Sequence, residues 1–181
     1  MDKKIVFTIL GAVVLSSAWG QEAKNRFYAE MKGGVLIPCD PLKKCLFVGG
    51  EIGYSYEDFR FGLELAYTKC KEKGFDDGLG HILHYENKIW TGTINVYYDY
   101  ALTDTFNLYA GVGTGLFYVK PSCKEGGNPI KSIKKLGYQL MAGISYDINE
   151  RWTFRAGYRY LGVKSVSFHT HGIEAGLRYS F

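Results

Sequence analysis

From residue 27 to the end, the chain alternates apolar side chains with polar or small ones, interrupted only by turns and polar stretches. A period of two is that of a β-strand, whose successive side chains point to opposite faces. In 27–37, Phe27, Ala29, Met31 and Val35 oppose Tyr28, Glu30, Lys32 and Gly34. In 46–56, Val48, Ile52, Tyr54 and Tyr56 oppose Gly49, Glu51, Gly53 and Ser55. The same reading separates Phe61, Leu63, Leu65 and Tyr67 from Arg60, Gly62, Glu64, Ala66 and Thr68. In 88–100, Trp90, Ile94, Val96, Tyr98 and Tyr100 oppose Thr91, Thr93, Asn95, Tyr97 and Asp99; in 106–119, Phe106, Leu108, Ala110 and Val112 oppose Asn107, Tyr109, Gly111 and Gly113. In 135–148, Leu136, Tyr138, Leu140, Ile144, Tyr146 and Ile148 oppose Gln139, Gly143, Ser145 and Asp147. In 152–161, Trp152, Phe154, Ala156, Tyr158 and Tyr160 oppose Arg155, Gly157 and Arg159. The last segment sets Ile173, Ala175, Leu177, Tyr179 and Phe181 against Thr170, Gly172, Glu174, Gly176, Arg178 and Ser180.

The pattern predicts eight strands of about ten residues each, an even number. A tilted strand of about 9–11 residues spans a bilayer. The connections after the second, fourth and sixth strands are short turns, whereas those after the first, third, fifth and seventh are longer and polar. Short turns on one side, longer loops on the other and aromatics near strand ends are the pattern of an outer-membrane barrel. The predicted fold is therefore all-β, an eight-stranded antiparallel up-and-down transmembrane β-barrel. A soluble eight-stranded barrel with its apolar face inward competes. Two features favour lipid. The polar face carries Gly49, Gly53, Gly62, Gly111, Gly113, Gly143, Gly157, Gly172 and Gly176, which suits a crowded interior, and the apolar face carries almost no charge.

The N-terminus supplies the route. Lys3 and Lys4 precede the fourteen-residue apolar run IVFTILGAVVLSSA, and Ala18-Trp19-Gly20 closes it. That run is too short for a membrane helix, which needs about 20 residues, and has the anatomy of a signal peptide. Residues 1–20 are expected to be a cleaved leader and 21–181 a single barrel domain. A net charge of +4 with no long basic run gives no reason to expect a nucleic-acid partner.

The terminal run Glu174-Ala175-Gly176-Leu177-Arg178-Tyr179-Ser180-Phe181 resembles the C-terminal signal read by the bacterial barrel-assembly machinery, with Glu174, Gly176, Tyr179 and Phe181 at the matching positions. The mature chain as a whole is similar to the small eight-stranded outer-membrane barrels of the OmpA-transmembrane-domain and opacity-protein type. In that family the third strand carries an interior Glu in a Gly-apolar-Glu-apolar-small-Tyr run, matched by Gly62-Leu63-Glu64-Leu65-Ala66-Tyr67, and the seventh a partner Arg, matched by Arg155. The resemblance implies a buried ion pair of Glu64 with Arg155. It also implies a bacterial outer-membrane location, a monomer, and contact with lipid, lipopolysaccharide and the assembly machinery. From the alternation itself, Glu30, Glu51, Glu64, Asp99 and Glu174 share the inner face with Lys32, Arg60, Arg155, Arg159 and Arg178. Buried charges must be paired, so a network plugging the lumen is expected.

Outside the membrane in an oxidising compartment, the four cysteines are expected to form disulfides. Four allow three connectivities. The expected pairs are Cys39–Cys45, flanking DPLKK, and Cys70–Cys123 between loops. The sharper alternative is a metal held by His81 and His84, or by His169 and His171, with thiolates. No metal and no cofactor are expected. A barrel enzyme acting on membrane lipid would need Ser, His and a carboxylate together. Near His169 and His171 only Ser165 and Ser167 are at hand, so no catalytic residues are assigned. The loops are Lys-rich, at 43, 44, 69, 71, 73, 120, 124, 131, 134, 135 and 164. Such cations suit lipopolysaccharide phosphates or an acidic glycan or protein of a host surface. The function expected is a structural or surface-interaction barrel, with a narrow channel as the alternative and a lipid-acting enzyme after it.

Overall fold

A computed structural model describes residues 25–38, 43–72, 75–76, 82–83, 85–123, 132–163 and 168–181. The alternating segments form eight long strands: β1 (Arg26–Pro38), β2 (Lys43–Tyr56), β3 (Phe59–Glu72), β4 (Tyr85–Ala101), β5 (Phe106–Cys123), β6 (Ile133–Asp147), β7 (Trp152–Val163) and β8 (Phe168–Ser180). Each pairs antiparallel with its sequence neighbours, and β1 pairs with β8, so the sheet closes into a barrel. A two-residue ladder, Phe75–Asp76 with Ile82–Leu83, lies between β3 and β4. The strands run from 12 to 18 residues, longer than the expected ten. Ten residues suffice to cross hydrocarbon, and antiparallel hairpins go on pairing beyond it because each further pair satisfies two backbone groups.

Closure rests on the β1–β8 register, which runs from Tyr28 opposite Ser180 to Pro38 opposite Thr170. Phe181 N adds a hydrogen bond to Phe27 O at 2.9 Å. No strand edge of the barrel is left for hydrocarbon, where unpaired backbone groups have no water to bond. At the turn end the connections are tight. Tyr56 and Phe59 face each other across Glu57-Asp58, and Glu57 takes φ 52°, the left-handed conformation that a two-residue hairpin requires. In the later turns Thr103 Oγ1 accepts from Phe106 N at 3.0 Å and Asn149 Oδ1 from Trp152 N at 2.9 Å, so the side chains replace ladder partners.

The alternation resolves into an apolar outside and a charged inside. Met31 and Leu65 are each 74% exposed, while their neighbours Glu30 and Glu64 are buried. The order is that of a membrane barrel, with lipid as the solvent of the apolar face. Aromatic cross-strand pairs ring the turn end: Phe27 with Tyr54, Phe59 with Tyr98, Phe106 with Tyr146 and Trp152 with Tyr179, centroids 4.8–5.3 Å apart. Tyr67 with Trp90, and Tyr138 with Tyr160, mark the opposite rim. Such rings sit where headgroups meet acyl chains.

A charge placed on the middle of the lipid face should be expensive. Leu65→Lys is expected to lower the free energy of unfolding by about 2–4 kcal/mol, measured as the urea dependence of folding in lipid vesicles. A change below about 0.5 kcal/mol would place that face away from lipid.

Candidate functional site: the charged lumen

The inward positions form levels along the barrel axis. Nearest the turns, Asp147 accepts from Thr153 Oγ1 at 2.6 Å and from Asn107 Nδ2 at 2.9 Å. Arg178 Nη2 donates to Thr153 Oγ1 at 3.2 Å. One level in, Arg60 grips Asp99 through Nε and Nη2. Arg155 Nη1 reaches both oxygens of Glu30 at 2.8 and 2.7 Å. Tyr97 and Tyr109 lie against these guanidinium groups: the Arg60 carbon is 4.4 Å from the Tyr97 centroid and the Arg155 carbon 3.9 Å from that of Tyr109.

At the next level the network is densest. Lys32 Nζ donates to Glu51 at 2.9 Å and to Glu64 at 3.0 Å. Arg159 donates to both oxygens of Glu64 at 2.6 and 3.0 Å, to Glu174 at 2.6 Å and to Gln139 Oε1 at 2.9 Å. Glu51 also accepts from Tyr28, Tyr97 and Asn95, each at 2.8 Å. Gln139 Nε2 closes the circle on Asn95 Oδ1 at 2.6 Å. All these side chains are buried. Glycine makes the space: a Cβ on Gly62 would lie 2.5 Å from Glu51 Oε1 and 2.8 Å from the Tyr28 hydroxyl.

Toward the loop end the inner face turns apolar. Leu36, Cys45, Phe47, Cys70, Ile89, Phe117, Leu161 and Val163 form one buried cluster. This cluster departs from the polar and small inner face that the alternation predicts. The signal was available in parity: Leu36 follows Gly34 by two and Phe47 precedes Gly49 by two, so both had to face inward.

The structure corrects the expected ion pair. Glu64 and Arg155 both face the lumen, but Glu64 pairs with Arg159 and Lys32, and Arg155 with Glu30. Gly176 lies between Lys32 on β1 and Arg155 on β7 and has no side chain. Glu30 Oε1 passes 2.8 Å from where a Cβ of Gly176 would be, and so reaches Arg155. Arg159, four residues further along β7 toward the loop end, then faces Glu64. The cysteine pairing is corrected as well. Cys45 bonds Cys70, because the β2–β3 register sets them directly opposite, both inward, with Cα atoms 4.1 Å apart. Neither expected pair, Cys39–Cys45 or Cys70–Cys123, is compatible with that bond. Cys39 lies outside the described residues, and Cys123 ends β5 opposite Tyr85.

Of the terminal motif, Glu174 faces inward onto Arg159, Gly176 provides the passage for Glu30, Tyr179 packs on Trp152, and Phe181 packs on Tyr179 at 5.1 Å. His169 and His171 sit on the outward face of β8 and stack on Tyr160 and Tyr158, and His169 Nδ1 shares a hydrogen bond with the Tyr160 hydroxyl at 2.8 Å. His81, His84, Ser165 and Ser167 lie outside the described residues, as do the lysines at 73, 124, 131 and 164. Lys120 and Lys134 are exposed beyond the loop-end rim. Among the described residues no group of His, Cys, Asp and Glu is arranged to hold a metal.

Residues 5–181 match the family model described as outer membrane protein beta-barrel domain. An uncharacterized protein of Brucella abortus is 27% identical over 195 residues, covering 74% of this chain and 67% of its own length. An opacity protein of Neisseria gonorrhoeae is 29% identical over 146 residues, covering 64% of this chain and 60% of its own. Among solved structures, Neisserial surface protein A superposes with a TM-score of 0.68 at 22% identity, covering 90% of this chain and 100% of the other. The outer membrane protein OprG of Pseudomonas aeruginosa gives 0.55 at 17%, covering 86% and 96%. At those identities the structural likeness concerns the fold alone.

Two measurements check the site. In double-mutant cycles read by urea unfolding, Glu64→Gln with Arg159→Met is expected to show a coupling of about 1–3 kcal/mol, and Glu64→Gln with Arg155→Met less than about 0.5. The reverse order would restore the pairing that the family resemblance implies. Digestion of the unreduced protein is expected to yield a Cys45–Cys70 linked peptide, and removing that link should cost about 3 kcal/mol for a separation of 25 residues. A Cys39–Cys45 peptide would overturn the pairing.

Proposed function

The chain belongs to the outer membrane protein beta-barrel domain family, and from that premise we propose that it is a surface barrel without catalytic function, structural in the envelope and interacting outward through basic loops. The observation that carries this reading is the buried cross-section at two levels: the Glu64–Arg159–Glu174 network and, above it, the cluster around Phe47 and Phe117. An eight-stranded barrel is just wide enough for side chains to fill, and these two levels support a lumen plugged against ions.

In this reading residues 1–20 direct export, the terminal Glu174, Gly176, Tyr179 and Phe181 direct barrel assembly, and the protein acts as a monomer in contact with lipopolysaccharide. The exposed Lys120 and Lys134 and the lysines of the outer loops supply point charges for its phosphates or for an acidic host glycan. The absence of catalysis is supported by His169, whose Nδ1 is engaged by Tyr160 and which faces the lipid side, away from the lumen carboxylates.

The test combines two readouts on the folded protein. In planar bilayers no unitary conductance is expected above that of lipid alone. Binding to a sulfated polysaccharide is expected to fall several-fold when Lys120, Lys134 and Lys135 are changed to Ala. Stable single channels, altered in Glu64→Ala, would replace this reading with the narrow channel, and unchanged binding would remove the loop-charge contact.

A further inference from the structure

The lumen does not use all of its donors. Among the described residues, five buried side-chain polar atoms lack a hydrogen-bond partner, and four of them are guanidinium nitrogens: Arg60 Nη1, Arg155 Nε, Arg155 Nη2 and Arg178 Nε. A buried charged donor left without an acceptor is costly, and protein interiors normally supply a side chain, a water or an ion. The three arginines share one compartment. Arg60 and Arg155 both lie against Tyr97 and Tyr109. Arg60 and Arg178 both approach Asp99 and Tyr28.

The arrangement at Arg155 is specific. Its Nη1 alone holds Glu30, and the side chain is fixed face-on against Tyr109. The Nε and Nη2 hydrogens point along the opposite edge of the guanidinium plane, and neither meets an acceptor. That same edge in Arg60 clamps the Asp99 carboxylate with two parallel bonds. Planar forks of this kind match two oxygens of an oxyanion. The protein therefore shows, within one compartment, one fork filled by a carboxylate and an identical fork unfilled.

Charge and access agree. Arg60, Arg155 and Arg178 face Glu30 and Asp99, and Lys32 approaches Glu30 as well at 3.9 Å, so cations gather around both carboxylates. Asp147, the next acid toward the turns, is bonded by Asn107 and by Thr153, which itself accepts from Arg178. Asp99 and Arg178 side chains are 22% and 11% exposed, whereas Lys32 and Glu51 one level deeper are 1% and 0%. The compartment therefore opens at the turn end, and the apolar cluster lies beyond the network at the other.

We propose that the turn-end half of the lumen binds one small planar oxyanion of carboxylate, nitrate or bicarbonate type on the Nε–Nη2 edge of Arg155, with Arg60 Nη1 and Arg178 Nε as flanking donors. Planarity follows from the fork.

The experiment is a titration of the detergent-folded, nitrogen-15-labelled full chain with sodium formate against sodium chloride at constant ionic strength, read at the arginine Nε–H resonances. Arg155 and Arg178 should shift saturably, while Arg159, whose Nε is held by Glu174, should not. In Arg178→Gln the midpoint should rise several-fold. No saturable shift would overturn the proposal, and magnetisation transfer from water to the Arg155 Nε–H would then assign the fork to water. A shift of equal size driven by chloride would overturn the oxyanion assignment. If Arg178→Gln does not fold, the wild-type titration decides alone. None of these outcomes depends on whether the barrel conducts or binds glycan.

Discussion

Everything in this protein follows from the pairing of β1 with β8. In hydrocarbon a backbone amide has no water to fall back on, so a sheet survives there only without an edge. Eleven paired positions and the Phe181–Phe27 bond join the last strand to the first. Once the sheet is closed, each strand has one face in lipid and one in a narrow interior. The charge of the interior and the apolarity of the exterior are then two consequences of one constraint.

Closure also explains why the interior is organised in levels. Eight strands enclose too little room for bulk water to solvate ten ionised side chains, so the charges must find each other. Reach across the lumen is uneven, and glycine decides it. Glu30 passes over Gly176 to Arg155, and the Tyr28 hydroxyl and Glu51 carboxylate meet over Gly62. Small residues on one strand set the partner of a long side chain on another. Local stacking adds direction: guanidinium planes lie on Tyr97 and Tyr109, so the donors of Arg60 and Arg155 are aimed as well as buried. The unfilled edge of Arg155, with Arg60 Nη1 and Arg178 Nε beside it, stands out against that set.

The two ends of the barrel differ in kind. The turn end is polar inside, ringed by aromatic pairs outside, and partly open to solvent at Asp99 and Arg178. The loop end is apolar inside and crosslinked by Cys45–Cys70, which joins β2 to β3 near the point where the strands leave the membrane.

The strand count, the antiparallel order, the lipid-facing set and the ten charges of the inner face were legible in the sequence, because a period of two assigns each side chain to a face without knowledge of any neighbour. Parity also places Leu36, Phe47 and Cys45 inside, although all three are apolar. Partners were a different matter. Glu64 could have met Arg155 or Arg159, and Cys45 could have met Cys39, Cys70 or Cys123, with no change in alternation. Those choices depend on the stagger between strands and on which inward positions are glycine, quantities that relate residues across the barrel rather than along the chain. Which side chains turn inward follows from the alternation along the chain; which of them touch follows from the closed barrel, because contact in a lumen is set by height along the axis and by the empty space above a glycine.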